Sequence, residues 1–472
     1  MPGKYVFLML FSLTVSGYAG PTGGANTAAP AITDRAQHHM IALAMAADGG
    51  SRAQARIERR LAIERLRRAQ RLEALRRAER AALRRWVEYR AGRAIAERRK
   101  AATRALIRDR LGRWILRNHI LSIAPDQATL ARLGEHGFSV QRLRRFEVLD
   151  IDIAIIRVPA GIGAEEALNL ARQLAPEGRF EANHLFDPSA QEGALRAPRP
   201  LDENALPWLG LPSVDGLKIG QIDLGVDQGH PALQEARIHA RIFTGEDQPA
   251  PSAHGTAIAS LLVGRHDGFA GASLGAELYA ADVFGEAEDG GSVEAIVGAL
   301  EWMAAMQIPV VAMPLAGPPN ALLDIALNRA TARGIMIVAP VGNDGPTKAV
   351  AWPAAHPDVV AVTATDDQGR VFLTAHRGPE VLLSAVGVAL PAAADPDGLI
   401  AVEGTSFAVP EVAARLLRLY PSPNQSKASA ALALIENTAQ DLGDPGRDPV
   451  YGAGWVSYRA LPMPEPQRTA KE

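Results

Sequence analysis

The sequence predicts an α/β fold: a mostly parallel sheet with helices on both faces, preceded by a long basic helix and a small α+β domain. Three observations carry that expectation. From about residue 213, apolar runs such as "KIGQIDLG", "AELYAADVF", "IPVVAMPLA", "IMIVAPVG" and "VVAVTAT" alternate with helical stretches such as "SVEAIVGALEWMAA" and "ALLDIALNRATARG". Continuous apolar strands separated by helices indicate a parallel sheet covered on both faces. Between residues 119 and 187 the order is strand, helix, strand, strand, helix, strand. Residues 51–118 hold 22 Arg and one Lys against six Glu and one Asp, a balance of +16 with no proline to break a helix.

Along the chain, Lys4 precedes the apolar run "YVFLMLFSLTV", and Gly17 and Ala19 follow as small residues. Residues 1–19 therefore read as a signal peptide that directs export to the periplasm, the cell surface or the medium. The run is too short to span a bilayer comfortably. Residues 20–50, rich in Gly, Ala, Pro and Thr, read as a flexible linker. The Arg-rich segment, 51–118, carries only a thin apolar stripe (Leu72, Leu75, Ala82, Trp86). It reads either as a solvated spacer or as a basic helix that contacts an anionic envelope surface or the chain's own acidic part. Nothing aromatic or base-reading accompanies the charge, so no specific nucleic-acid partner is expected. In 119–187, "HILSIA", "FSVQRLRRFEV", "IDIAIIRVPA" and "RFEANHLF" are strands, and "QATLARLGEHG" and "AEEALNLARQLA" are helices, the ferredoxin-like arrangement. Residues 188–212 are polar and proline-bearing, an exposed and cleavable connection. The α/β domain runs from 213 to 460, and 461–472 is a tail. Net charge is −2, so the rest of the chain balances the basic segment with −18. The absence of cysteine excludes disulfides, thiolate metal sites and a thiol nucleophile.

Functional residues of a parallel sheet belong at the carboxyl ends of its strands. Asp223 ends "IGQID"; it can orient a histidine, or serve only as a turn carboxylate. His254 in "SAHGTAIASLLVG" opens a helix beside Gly255, which permits close approach of backbone or substrate, while His230 lies inside the turn of "GHPAL". Asn343 in "APVGNDG" can donate to a developing oxyanion or make an ordinary turn. Ser406 in "EGTSFAVPEVA" reads as a helix N-cap or as a nucleophile at the positive end of a helix dipole. Each signal is weak alone. Their joint order, each after a strand or at a helix start, is not.

The stretches "IGQIDLGVDQGHPAL", "HGTAIASLLVG", "VVAMPLAG", "APVGNDG" and "GTSFAVPEVA" resemble the subtilisin-like serine peptidases over roughly residues 213–420, and less sharply to "GAGWVS". The resemblance implies a serine endopeptidase acting on proteins or peptides. Ser406 would be the nucleophile, His254 the base and Asp223 its orienting acid, with Asn343 and the Ser406 N–H as oxyanion hole. It further implies that Leu315, Ala316, Gly317, Pro340, Val341 and Gly342 line the substrate groove, and that 119–187 is a propeptide, a folding aid and inhibitor that packs on the peptidase. "MPLAG" departs from the family's Ser-Leu-Gly, "SAVG" at 384–387 from Ala-Pro-Gly, and Glu411 stands at a common histidine position. These changes bear on specificity, not on the reaction class. No cofactor motif and no metal-ligand spacing stands out; calcium is frequent in the family, but no carboxylate loop places it. The reading from another class is a catalytically silent module of the same fold, tethered to an envelope surface by its basic helix.

Overall fold

The computed structural model describes residues 106–188, 211–245, 251–266, 268–285, 290–395 and 398–456, all within the unit Arg84–Glu472. The expected signal peptide, the linker, the basic helix as far as residue 105, the tail and most of the connection at 188–212 lie outside the described residues. The first region comprises β1 (Leu106–Arg108), β2 (Trp114–Ile123), α1 (Gln127–Glu135), β3 (Ser139–Phe146), β4 (Ile151–Arg157), α2 (Ala164–Leu174), β5 (Arg179–His184) and a two-residue strand, β6 (Asp187–Pro188). Strands β5, β2, β4 and β3 lie side by side, antiparallel throughout, and β1 adds to the start of β2.

The Arg-rich helix was expected to run to residue 118, yet 106–108 and 114–118 are strand. Arginine and leucine favour helix only weakly. In this segment Ile115 and Leu116 are buried, and they pair with His184 and Leu106 respectively. Burial in a sheet outweighs a propensity of tenths of a kcal/mol per residue, taken as an order of magnitude.

The second region contains β7 (Lys218–Asp223), β8 (Arg237–Ile242), α3 (Ala253–Val263), the hairpin β9 (Arg265–His266) and β10 (Phe269–Ala270), β11 (Glu277–Asp282), α4 (Val293–Ala305), β12 (Val310–Ala312), β13 (Leu315–Ala316), α5 (Ala321–Ala332), β14 (Met336–Pro340), β15 (Val359–Thr365), β16 (Leu383–Val386), β17 (Val388–Asp395), β18 (Gly398–Glu403), α6 (Thr405–Leu419), α7 (Gln425–Thr438) and β19 (Trp455–Val456). Eight strands form one sheet in the order β19-β16-β15-β14-β12-β7-β11-β8. Every pairing in it is parallel. This is the expected α/β class, and the reason is visible in the strands: 219–223, 310–312, 336–340 and 359–365 are buried at every position. One apolar cluster joins the sheet to α3 and α6, and another joins its opposite face to α4 and α5. β11 pairs with one edge of β7 and β12 with the other, so connections leave β7 in opposite directions. Crevices form beyond the strand ends at such a point.

The two regions share a core. One face of the small sheet, with Ile120, Ile156 and Ala182, packs among its own helices. Its other face, with Leu121, Ile153 and Ile155, belongs to the same cluster as Ile296 and Leu300 of α4. At the rim, Arg144 Nη1 donates to Glu294 Oε1 at 2.8 Å, and Glu301 accepts from the amides of Val148 and Leu149, each at 2.8 Å.

Candidate active site

Asp223 is the last residue of β7 and fully buried, and His254 is the second residue of α3. Ser252 caps that helix by accepting from the His254 amide. The His254 Nδ1 lies 3.0 Å from Asp223 Oδ1 and 2.9 Å from Oδ2. A carboxylate on Nδ1 keeps the proton there, so that Nε2 is the basic nitrogen. Gly255 has to be glycine, since a side chain would collide with the carbonyls of Leu224 and Gly225. That close approach brings the start of α3 against the end of β7. His230 is placed elsewhere: it caps the 3₁₀ turn Pro231–Leu233, its Nδ1 accepting from the Ala232 amide at 3.0 Å.

Ser406 is not the N-cap that its sequence context suggests. The cap is Gly404, at φ +144°, and Ser406 is the second residue of α6. Residues with side chains rarely adopt that backbone conformation, and the bend delivers Ser406 at the helix N-terminus. There its N–H is among the donors that no intrahelical carbonyl satisfies. Pro410, inside the helix, has no N–H to return to the Ser406 carbonyl. Ser406 Oγ and His254 Nε2 are both buried and, among the described residues, without a hydrogen-bond partner. The imidazole packs on Phe407, the residue after Ser406, with ring centroids 5.5 Å apart.

Asn343 follows β14. Its Oδ1 accepts from the Thr405 amide at 3.0 Å and from Thr405 Oγ1 at 2.9 Å, which fixes the amide orientation and ties this loop to the residue before Ser406. The loop is braced from below by His376, which sequence reasoning missed. The His376 amide donates to Gly342 O at 3.1 Å, and its Nε2 accepts from the Asp344 amide at 2.9 Å. Burial holds this imidazole below the usual histidine range, against the opposing pull of Asp344.

Of the residues expected in the groove, Leu315 and Ala316 form β13 and pair antiparallel with the chain's own β6, Leu315 opposite Pro188 and Ala316 opposite Asp187. A side chain at Gly317 would collide with the Phe186 ring. On the other side, Phe186 N–H donates to Gly291 O at 2.7 Å, and Leu185 bridges to Ser292. Residues 185–188 thus run as an extended strand between 291–292 and 315–317. Pro340, Val341 and Gly342 are buried at and after the end of β14. Their backbone bonds run inward, the Val341 amide to Val362 O at 3.0 Å, so they flank Asn343 rather than pair with β6.

Glu411, at the position where the resemblance expects histidine, is buried on α6. It accepts from the Val386 amide at 3.4 Å and faces Arg415 Nη2 at 3.5 Å. Among the described residues no three His, Asp or Glu side chains gather in a way that could hold a metal ion.

Comparison with known proteins follows the same residues. The Subtilase family matches residues 214–454. Subtilisin Savinase of Lederbergia lenta is 33% identical over 250 residues, covering 52% of this chain and 90% of that relative. The minor extracellular protease Epr of Bacillus subtilis is 29% identical over 248 residues, and this chain spans only 38% of its length. Among solved structures, fervidolysin from Fervidobacterium pennivorans, a keratinolytic enzyme related to subtilisin, shares the fold with a TM-score of 0.60 at 20% identity, over 77% of this chain and 64% of that one. With the match spanning residues 214–454 and the strand ends arranged as above, this chain belongs to the subtilase family.

Proposed function

We propose that the protein is an exported serine endopeptidase made as a self-blocked precursor, with Ser406, His254 and Asp223 as its triad. The observation that carries the reading is the Asp223–His254 contact on Nδ1, with the imidazole packed on Phe407 next to Ser406 and with Nε2 and Ser406 Oγ both buried and, among the described residues, without a partner. Ser406 Oγ attacks the peptide carbonyl carbon while its proton passes to His254 Nε2. The C–N bond then breaks as Nε2 returns that proton to the leaving amine, and water releases the acyl group by the same proton route. The Asp223 carboxylate stabilises the imidazolium. The Asn343 amide nitrogen and the Ser406 N–H donate to the oxyanion, at the positive end of α6.

A peptide substrate docks by strand addition against 315–317, where residues 187–188 pair in this chain. The region ending at residue 188 therefore acts as an intramolecular propeptide, and cleavage in the stretch after Pro188 opens the groove. Export rests on residues 1–19. Among the described residues no helix is long and apolar enough to cross a membrane.

The test is labelling of purified protein with a fluorophosphonate, read by intact and peptide mass spectrometry. The expected result is a label on Ser406 in chains shortened after residue 188, and weak labelling of full-length chains. A folded, shortened chain that takes no label overturns the assignment in favour of a silent binding module.

A further inference from the structure

Gln221 stands two residues before Asp223 on β7, fully buried. Alternation along a strand puts both side chains on one face of the sheet. Its neighbours in register are Ala280 on β11 and Ala312 on β12, short side chains that leave room for a long one. The surrounding cluster (Ile219, Ala257, Ala280, Ala312, Val338) is apolar. A primary amide in such a place is destabilising unless its polar atoms are paired.

Only half of this amide is paired. Nε2 donates to Gly255 O at 2.9 Å and faces Asp223 Oδ2 at 3.4 Å, while Oε1 is buried without a partner among the described residues. Here both contacts of the nitrogen go to the site: one to the residue after His254, the other to the carboxylate that holds His254.

Taking the triad reading as its basis, we infer that Gln221 is a positioning residue for the Asp223–His254 pair. The shorter bond ties the first turn of α3 to the end of β7. The longer one places a neutral donor on the carboxylate, which draws part of its charge away from the imidazolium. The other charged groups near the pair are engaged with backbone. Asp282, opposite Asp223 on β11, accepts from the amides of Phe284 and Gly285 at 3.0 and 2.9 Å. Asp227, after β7, accepts from the Gly229 amide at 2.9 Å. His230 accepts from the Ala232 amide. Phe407 of α6 adds no charge.

The experiment is kcat and KM for a chromogenic peptide across pH, using enzyme expressed as the full chain and allowed to process. In Gln221→Leu, kcat falls about tenfold with KM unchanged, because the base is misaligned rather than the groove altered. The acid limb of kcat/KM moves to higher pH by about half a unit, since the carboxylate then acts on the imidazolium undiluted. A folded Gln221→Leu enzyme with the wild-type acid limb overturns the inference, whether or not its melting temperature drops. If that variant does not fold, Gln221→Met is read instead. A methionine has similar length without the amide, so the acid limb should move up as in Gln221→Leu, and an unmoved limb overturns the inference equally. Ser406→Ala separates the two levels: wild-type turnover in that variant removes the triad reading itself. A dead Ser406→Ala with a silent Gln221→Leu removes only the role of Gln221.

Discussion

The two described regions solve the same packing problem differently. Residues 211–456 cover both faces of their sheet with their own helices. Residues 106–188 own one face only, and the other is completed by α4 of the larger region. A sheet with one borrowed face is stable chiefly while its partner is in place, because a chain of this size buries a smaller fraction of its surface on folding. In the proposed reading the larger region carries the chemistry on its strand ends and helix starts, and the smaller one carries the segment, 187–188, that pairs with 315–316. The difference suits a part that has to leave and a part that has to stay.

The largest effect expected is on chemistry. Ser406→Ala lowers turnover by about a millionfold, the scale of subtilisin triad knockouts, and leaves the purified chain at full length while wild type shortens. Equal shortening of both chains would show that processing is not the protein's own work.

Next comes the interior of the larger region. Arg415 and Glu411 form a largely buried ion pair on α6, with side chains 12% and 1% exposed. Arg415→Ala leaves the carboxylate buried without that partner and destabilises by about 3–5 kcal/mol, read as a lowered denaturant midpoint. A midpoint within error of wild type would mean that the carboxylate finds compensation elsewhere.

The shared face sharpens the comparison. Ile153→Ala in the small sheet costs about 2–5 kcal/mol. The loss should appear as weaker inhibition of the processed enzyme by the 106–188 segment and, in the full-length chain, as earlier melting of 106–188 with that of 211–456 unchanged. A drop in the melting of the larger region instead would make the two regions one cooperative unit.

The smallest effect is pH-dependent. His184 sits at the junction, where Asn320 Nδ2 donates to its Nδ1 at 2.9 Å. Burial, and then Arg113, hold its imidazole below the usual range, opposed by Glu181 and Asp109. When the regions separate, or the chain unfolds, that histidine returns toward its ordinary value of 6.5 and binds a proton more readily. The separated state is therefore favoured as pH falls below about 6.5, and above that value the contribution to association is complete. Binding of the small region should weaken from pH 7 to pH 5, and the dependence should flatten in His184→Asn. An unchanged slope would assign the pH effect to other groups, of which His356 and His376 are also lowered chiefly by burial.

Much of this was legible beforehand. The apolar runs, the helices between them and the positions of Asp223, His254, Asn343 and Ser406 at strand ends or helix starts are local features, and local periodicity records them. The start of β2 was not, because residues 114–118 end an arginine-rich run and look helical until their partners, Leu106 beside Leu116 and His184 opposite Ile115, are known to lie alongside. The role of Ser406 as cap failed for a similar reason: the backbone bend belongs to Gly404, and the glycine's φ is not written in its neighbours. Gln221 and His376 escaped notice because Gln221 meets Gly255 O, and His376 the Asp344 amide, only across more than thirty residues of chain.

The sequence by itself determined the class of fold, the order of its elements and which residue types stand where strands end, since burial and turn chemistry act over a few residues. Tertiary structure alone decided that Asp223 meets His254 across 31 residues of chain, that Thr405 holds Asn343 across 62, and that residues 187–188 lie on 315–316. Those contacts depend on strand register and on helices closing over one sheet. Both are set by the packing of the whole core rather than by any segment's own preference.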